Sequence, residues 1–158
     1  MKESAYQKIV QRLELLREIE LALGEFYGRC SFCFPEDEHL WEELKSDEFK
    51  HAEQIKELAT MVTEKKEKFL PGEFNLVALK TYLNGIEDQR DRLEKGELTR
   101  DNTLYIAQDY ENTLVEKQFY RAVVSNDPEF LHLTEKIEQE EREHLKKLSD
   151  YLKSIVID

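Results

Sequence analysis

The 158-residue chain has little glycine, proline or cysteine, with 5, 3 and 2 residues of these types. So few glycines and prolines, beside 37% charged and 40% apolar residues, are typical of a helix-rich soluble protein. The two cysteines, Cys30 and Cys33, cannot form a disulfide framework. These scarcities predict a helical fold in a reducing, cytoplasmic setting.

Long apolar runs and an excess of positive charge are also lacking. No run approaches transmembrane length, and the N-terminal stretch MKESAYQKIVQRLELL has no signal-peptide core. The formal net charge is −12, from 35 acidic and 23 basic residues. Such a surface repels nucleic acid and anionic membranes, so neither is expected as a partner. The length predicts one domain over residues 1–158.

Helical periodicity, by contrast, runs through nearly the whole chain. Pro35 and Pro128 each begin a predicted helix, and Asp127 caps the second of these. The predicted helices lie at about 3–30, 35–68, 99–125 and 128 to nearly the C-terminus, with a crossover at 69–98 that contains an extra helix. Short connections make the first and last pairs antiparallel hairpins, while the crossover is long enough to traverse the bundle.

The two hairpins, at about 3–68 and 99–158, are related by an internal repeat. Several residues recur after 93 positions without a gap, which indicates a duplicated helical unit. The superimposed pairs are Pro35 and Pro128, His39 and His132, Glu48 and Glu141, and His51 and His144.

A Glu-x-x-His pair interrupts the apolar stripe of the second and last predicted helices. Side chains three residues apart on a helix share a face and can share a partner. A buried carboxylate needs such a partner, which is either an ordinary Glu–His hydrogen bond or a metal ion. Glu20 lies on the apolar stripe of the first helix. The candidate metal ligands are Glu20, Glu48, His51, Glu141 and His144, a set that suits iron or manganese.

This pattern resembles the ferritin-like superfamily and, within it, the rubrerythrin-like diiron-carboxylate proteins. The resemblance covers nearly the whole chain. Its motifs are Glu20 with Tyr27, Glu48-Phe-Lys-His51 and Glu141-Arg-Glu-His144. It implies an all-α, ferritin-like four-helix bundle of two antiparallel hairpins. We expect no rubredoxin domain, because the chain has no second cysteine pair.

The resemblance also implies a function. The cofactor would be two iron ions, or manganese, and the activity would be reduction of hydrogen peroxide or oxidation of ferrous iron with dioxygen or peroxide. Electrons would come from a separate donor protein, and the chain would form a homodimer. Tyr27 would hydrogen-bond a ligand or pass an electron. Two alternatives stay open: an iron-binding or storage protein with little turnover, and a scaffold with a degenerate metal site.

The helix at 99–125 departs from the family pattern. The repeat places Thr113, a poor bridging ligand, opposite Glu20. Rubrerythrin-like proteins often carry an extra Glu three residues beyond the usual position on this helix, which matches Glu116. Glu111 instead lies on a stripe with apolar residues, but it requires a slip of two residues, for instance through a π-bulge. Both remain candidate ligands at this point.

Two further motifs receive simpler interpretations. His39 and His132 each lie nine residues before a candidate Glu, on the opposite helical face, and are expected at the surface. Cys30 is expected to pack as a small apolar residue. A reversible disulfide with Cys33 is the alternative.

Overall fold

The computed structural model describes residues 4–117 and 119–156. Within these ranges the chain forms five α-helices, three short 3-10 segments and a two-stranded antiparallel sheet, which confirms the all-α prediction. The elements are α1 (Ala5–Cys33), α2 (Glu38–Glu64), β1 (Phe69–Pro71), α3 (Leu76–Glu94), α4 (Arg100–Lys117), β2 (Val123–Ser125) and α5 (Pro128–Val156). None of the helices in the described ranges is long and apolar enough for a membrane span.

Helices α1 and α2 form an antiparallel hairpin. Ser4 and Gln7 make a capping box at the start of α1, and a 3-10 turn at 35–37 leads into α2. The Tyr6 hydroxyl lies 3.1 Å from Thr63 Oγ1, so the start of α1 contacts the end of α2. The two helices approach closely at Gly24, where a Cβ atom would lie 2.7 Å from the Phe49 ring.

Helices α4 and α5 form the second antiparallel pair. Asp127 accepts a hydrogen bond from the Phe130 backbone N–H at 3.1 Å and so caps α5 as predicted. Gln108 on α4 donates to Ser149 on α5 at 2.9 Å. Helix α5 also packs antiparallel against α2, where Lys147 pairs with Glu43. The two hairpins therefore meet along the α2–α5 interface.

Helix α3 lies in the crossover, as the sequence predicted, and runs parallel to α1 along its outer side. Its N-terminus is capped by Asn75, which accepts from the Ala78 backbone N–H at 2.9 Å. Arg90 donates to Glu25 on α1 at 2.6 Å. Tyr82 donates to the backbone carbonyl of Tyr110 on α4 at 2.9 Å. Helix α3 therefore covers the side of the molecule formed by α1 and α4.

The structure corrects two predicted helix ends. Helix α2 ends at Glu64 rather than near 68, and α4 ends at Lys117 rather than near 125. Both differences come from the sheet, in which residues 69–71 pair with residues 123–125. Proline disfavours the α conformation of the residue before it, so Leu70 is extended before Pro71. The predicted start of the first helix, residue 3, lies outside the described residues.

A partly buried ion pair joins the two hairpins at one end of the molecule. Arg100, at the start of α4, donates two hydrogen bonds of 2.6 Å to the carboxylate of Asp37 in the turn between α1 and α2. Tyr151 on α5 donates to the same carboxylate. At the other end Arg12 donates to the backbone carbonyls of Gly72 and Ala122, at 3.0 and 2.9 Å.

Candidate metal centre

Four helices bring carboxylates and imidazoles into the middle of the apolar core. Apolar residues alternate with these groups at helical spacing, which turns them inward. The acidic side chains are each at most 1% exposed, and the two imidazoles at most 3%. We call this set the carboxylate cluster; it consists of Glu20 on α1, Glu48 and His51 on α2, Glu111 on α4, and Glu141 and His144 on α5.

Two trios of ligand atoms lie within the carboxylate cluster and share Glu48. The first trio is Glu20, Glu48 and His51, and the second is Glu48, Glu111 and His144. In each trio one atom per residue lies within 4.8 Å of the others. The imidazole rings of the two trios stack with their centroids 5.5 Å apart. Each trio offers two carboxylates and one imidazole to a cation, and the two positions are adjacent.

The Nδ1 atoms of both imidazoles face the cluster. His144 Nδ1 lies 3.0 Å from Glu48 Oε1 and 3.7 Å from Glu111 Oε2. His51 Nδ1 lies 3.7 Å from Glu48 Oε2 and 3.8 Å from Glu20 Oε2. Neither Nδ1 atom makes a hydrogen bond of good geometry, and the same holds for both oxygens of Glu48.

The Nε2 atoms are held from outside the cluster by two further acids. His51 Nε2 donates to Glu140 at 2.6 Å, and His144 Nε2 donates to Asp47 at 2.9 Å. The contacts are crossed, because each acid lies on the helix of the other imidazole. A hydrogen bond of this kind fixes the tautomer and leaves the Nδ1 lone pair for a metal ion.

Sequence reasoning missed Asp47 and Glu140. Each lies next to a cluster carboxylate in the sequence and points elsewhere on the helix, so neither falls on the apolar stripe. A signal was present in the sequence, because the 93-residue shift that relates the two Glu-x-x-His motifs also places Asp47 on Glu140.

The residues present fit a pair of divalent cations. Buried polar atoms without a hydrogen bond are costly, and five of them converge on this cluster. They are both oxygens of Glu48, Oε2 of Glu111, and Nδ1 of His51 and His144. The four cluster carboxylates, when ionised, carry the charge that two divalent cations neutralise. Carboxylate oxygens and imidazole nitrogens are ligands that suit iron and manganese.

Protons balance part of this charge when no cation is present. Burial lowers the pKa of His51, but the nearby carboxylates of Glu20 and Glu48 outweigh burial and raise it to about 12. The pKa of His144 is also raised, because its carboxylate neighbours outweigh burial. Burial and the charges of Glu20 and Glu111 raise the pKa of Glu48. A bound cation therefore competes with protons for the same atoms.

Glu141 lies in the cluster but belongs to neither trio. Its side chain is buried, and burial together with the charges of Glu20, Glu48 and Glu111 raises its pKa. Glu141 is thus within the electrostatic reach of both trios.

The structure separates the two candidate ligands on α4. Glu111 is fully buried in the second trio, on a stripe with Leu104 and Ala107. Glu116 is exposed and accepts a hydrogen bond from Asn112 at 3.1 Å. Helix α4 is a regular α-helix at this point, with no π-bulge among its described residues.

Tyr27 touches the second trio. Its hydroxyl donates to Glu111 Oε1 at 2.7 Å, and its ring stacks on Trp41 at 5.8 Å between centroids. Burial, followed by the charges of Glu111 and Glu48, raises the pKa of Tyr27, so the phenol keeps its proton. The hydrogen bond leaves only Oε2 of Glu111 directed to the cluster.

The remaining motifs lie away from the cluster. His39 and His132 are exposed, as their spacing predicted. Cys30 is fully buried among apolar residues, whereas Cys33 is exposed, and both are free thiols. Neither cysteine is part of a ligand trio.

Comparison of the chain with protein-family models, with curated proteins and with solved structures gives no match. The functional argument therefore depends on the geometry of the carboxylate cluster.

Proposed function

We propose that the carboxylate cluster binds two iron ions, with manganese as the alternative, and that the protein is a rubrerythrin-like oxidoreductase. One observation carries this proposal. Two imidazoles, each fixed at Nε2 by an acid of the other hairpin, turn their unpaired Nδ1 atoms toward the shared carboxylate of Glu48. This is the arrangement expected of metal-binding histidines.

The packing of the helices supports a ferritin-like four-helix bundle. Three pairs of helices pack antiparallel, namely α1 with α2, α4 with α5, and α2 with α5. Helices α1 and α4 are antiparallel as well, because Tyr27 contacts Glu111, and Asp37, just after α1, contacts Arg100 at the start of α4. Each of the four helices contributes a carboxylate to one central site. The crossover helix α3 lies outside this set of four.

In this proposal the residues of each trio would hold one ion, and Glu48 would serve both trios. Glu141, buried in the same cluster, would supply a further carboxylate to the pair. Two iron ions would supply one-electron oxidation and reduction between the ferrous and ferric states, which suits reduction of hydrogen peroxide or dioxygen.

The protein would contribute orientation and a dry environment. Asp47 and Glu140 hold the imidazoles in place, and Tyr27 holds Glu111. Buried Leu23 and Leu44 belong to the surrounding core and limit access of water to the carboxylates. The oxidant, the separate electron-donor protein and a homodimeric state belong to this proposal.

The deciding experiment is the metal content of full-length protein purified without a metal-affinity tag, measured by plasma mass spectrometry. We expect about two iron or manganese ions per chain. His51→Ala should lower this content strongly. His132→Ala is the matched control, because His132 is exposed and lies far along α5 from the cluster, so this variant should keep the wild-type content.

A protein with less than about a tenth of an ion per chain, unchanged by anaerobic incubation with ferrous iron, would contradict the proposal. With two ions bound, the loaded protein should oxidise on addition of hydrogen peroxide or dioxygen. The faster of the two reactions, followed by the absorbance of ferric iron, would identify the oxidant.

A further inference from the structure

The two trios contain the same kinds of ligand but come from different parts of the chain. Glu20, Glu48 and His51 all lie on α1 and α2, within one hairpin. The second trio adds Glu111 on α4 and His144 on α5 to the shared Glu48. The first position is therefore built within one hairpin, while the second forms only where both hairpins meet.

The first position is pre-organised by tight packing of its hairpin. Helices α1 and α2 are joined by the short turn at 35–37 and contact each other from Tyr6 and Thr63 at one end to Tyr27 and Trp41 at the other. A binding site on such a rigid unit loses little conformational freedom when an ion binds. The acid behind His51, Glu140, comes from the other hairpin, but all three ligands of the first trio belong to one hairpin.

The second position depends on more separate parts. It needs α4 and α5 docked on α2, and it needs Tyr27 of α1 to fix Glu111. With Oε1 engaged by the phenol, Oε2 is the oxygen of Glu111 that lies near His144, at 3.7 Å from Nδ1. Each additional part that must be held in place reduces the net binding free energy.

We propose that divalent metal ions fill the cluster in a fixed order, first at Glu20, Glu48 and His51 and then at Glu48, Glu111 and His144. Tyr27 is the positioning residue of the second position. This inference rests on the proposed function for the identity of the ligand. Repulsion between two cations that share Glu48 separates the two affinities further. At limiting metal the protein holds one ion.

The test is an anaerobic titration of metal-free, full-length protein with manganese(II), followed by calorimetry and by electron paramagnetic resonance. Binding should occur in two resolved steps. The first step should give the spectrum of an isolated manganese ion, and the second should replace it with that of a magnetically coupled pair. This readout is independent of enzymatic activity.

Variants assign the two steps. Glu111→Gln should bind one ion with wild-type affinity and keep the isolated-ion spectrum, whereas Glu20→Gln should lose the tight first step. Tyr27→Phe should weaken the second step about tenfold or more and leave the first within about twofold. The matched control is Glu116→Gln, an exposed acid on the same helix as Glu111, which should titrate like wild type.

Circular dichroism establishes that each variant is folded. The variants His51→Gln, in the first trio, and His144→Gln, in the second, repeat the comparison of Glu20→Gln with Glu111→Gln. Equal affinities for both ions in wild type would overturn the inference and leave the dinuclear proposal intact. A tight first step in Glu20→Gln, or its loss in Glu111→Gln, would reverse the order and overturn it. Failure to bind either manganese or ferrous ions would overturn the inference and the proposed function together.

Discussion

Asp47 and Glu140 each precede a cluster carboxylate by one residue, so each points away from its neighbour by about 100° on the helix. That rotation carries each acid across the α2–α5 interface to an imidazole of the other hairpin. A sequence stripe identifies side chains that face the core, but it does not identify those at the edge of two packed helices. The ligands could therefore be predicted, whereas the acids that orient them could not.

Removing one of these acids tests the role of the imidazole that it holds. Asp47→Ala should lower the affinity for ferrous or manganese ions by about 10- to 100-fold, because His144 loses the hydrogen bond that fixes its tautomer. The measurement is a metal titration monitored by calorimetry. Glu53→Ala removes an exposed acid from the same helix and should leave the affinity at the wild-type value. Equal losses in both variants would contradict a positioning role.

Metal affinity should increase with pH. The metal-free chain keeps protons on His51, whose pKa is about 12, and on His144, whose pKa is also raised. Each ion displaces a proton from an imidazole, so more protons are bound without metal than with it, and a higher pH favours the bound form. We expect about a tenfold gain in affinity per pH unit for each proton displaced.

Calorimetry in two buffers of different ionisation enthalpy measures the number of protons released. At neutral pH at least about one proton should be released for each ion bound. An affinity that does not change between about pH 6 and about pH 8 would contradict the protonated state of the imidazoles.

At the scale of elements, the sequence predicted all five helices but not all of their ends. The Glu-x-x-His motifs were placed correctly because the apolar residues of α2 and α5 repeat regularly. On α4 the apolar residues are spread around the helix, so the choice between Glu111 and Glu116 needed the contacts of Leu104 and Ala107 with the core. The sheet was missed because its pairing joins segments about fifty residues apart, beyond the reach of local periodicity.

Gly24 sets the separation of α1 and α2. Gly24→Ala would place a Cβ atom 2.7 Å from the half-buried ring of Phe49, so the hairpin that holds the first trio must shift. Gly85→Ala on α3 meets nothing within 4 Å and gains helix propensity. Urea unfolding should find Gly24→Ala less stable than Gly85→Ala by about 1–3 kcal/mol. Equal stability of the two variants would mean that the Phe49 ring moves freely.

At the scale of the whole molecule, the contact of Asp37 with Arg100 and Tyr151 fastens the two hairpins at one end. Burial raises the pKa of Asp37, but hydrogen bonds from Arg100 and Tyr151 outweigh it and hold the pKa below its ordinary value. A lowered carboxyl pKa contributes stability above the ordinary value near 4, and this contribution is lost as the pH falls through the folded-state value.

Asp37→Asn should therefore lower the free energy of unfolding by about 1–2 kcal/mol at neutral pH, a modest cost because the Arg100 side chain is 35% exposed. The difference from wild type should shrink as the pH approaches about 3. Urea unfolding at both pH values measures it. A constant difference at the two values would show that the charge of Asp37 is not responsible.

The crossed acid–imidazole contacts have a consequence for symmetry. The repeat relates Asp47 to Glu140 and His51 to His144. Asp47 contacts His144, and Glu140 in turn contacts His51. Reciprocity of this kind defines an isologous interface, the kind that two identical subunits form about a two-fold axis. One covalent chain thus contains, at its centre, the contact pattern of a homodimer of hairpins. Neither hairpin provides the orienting acid for its own imidazole.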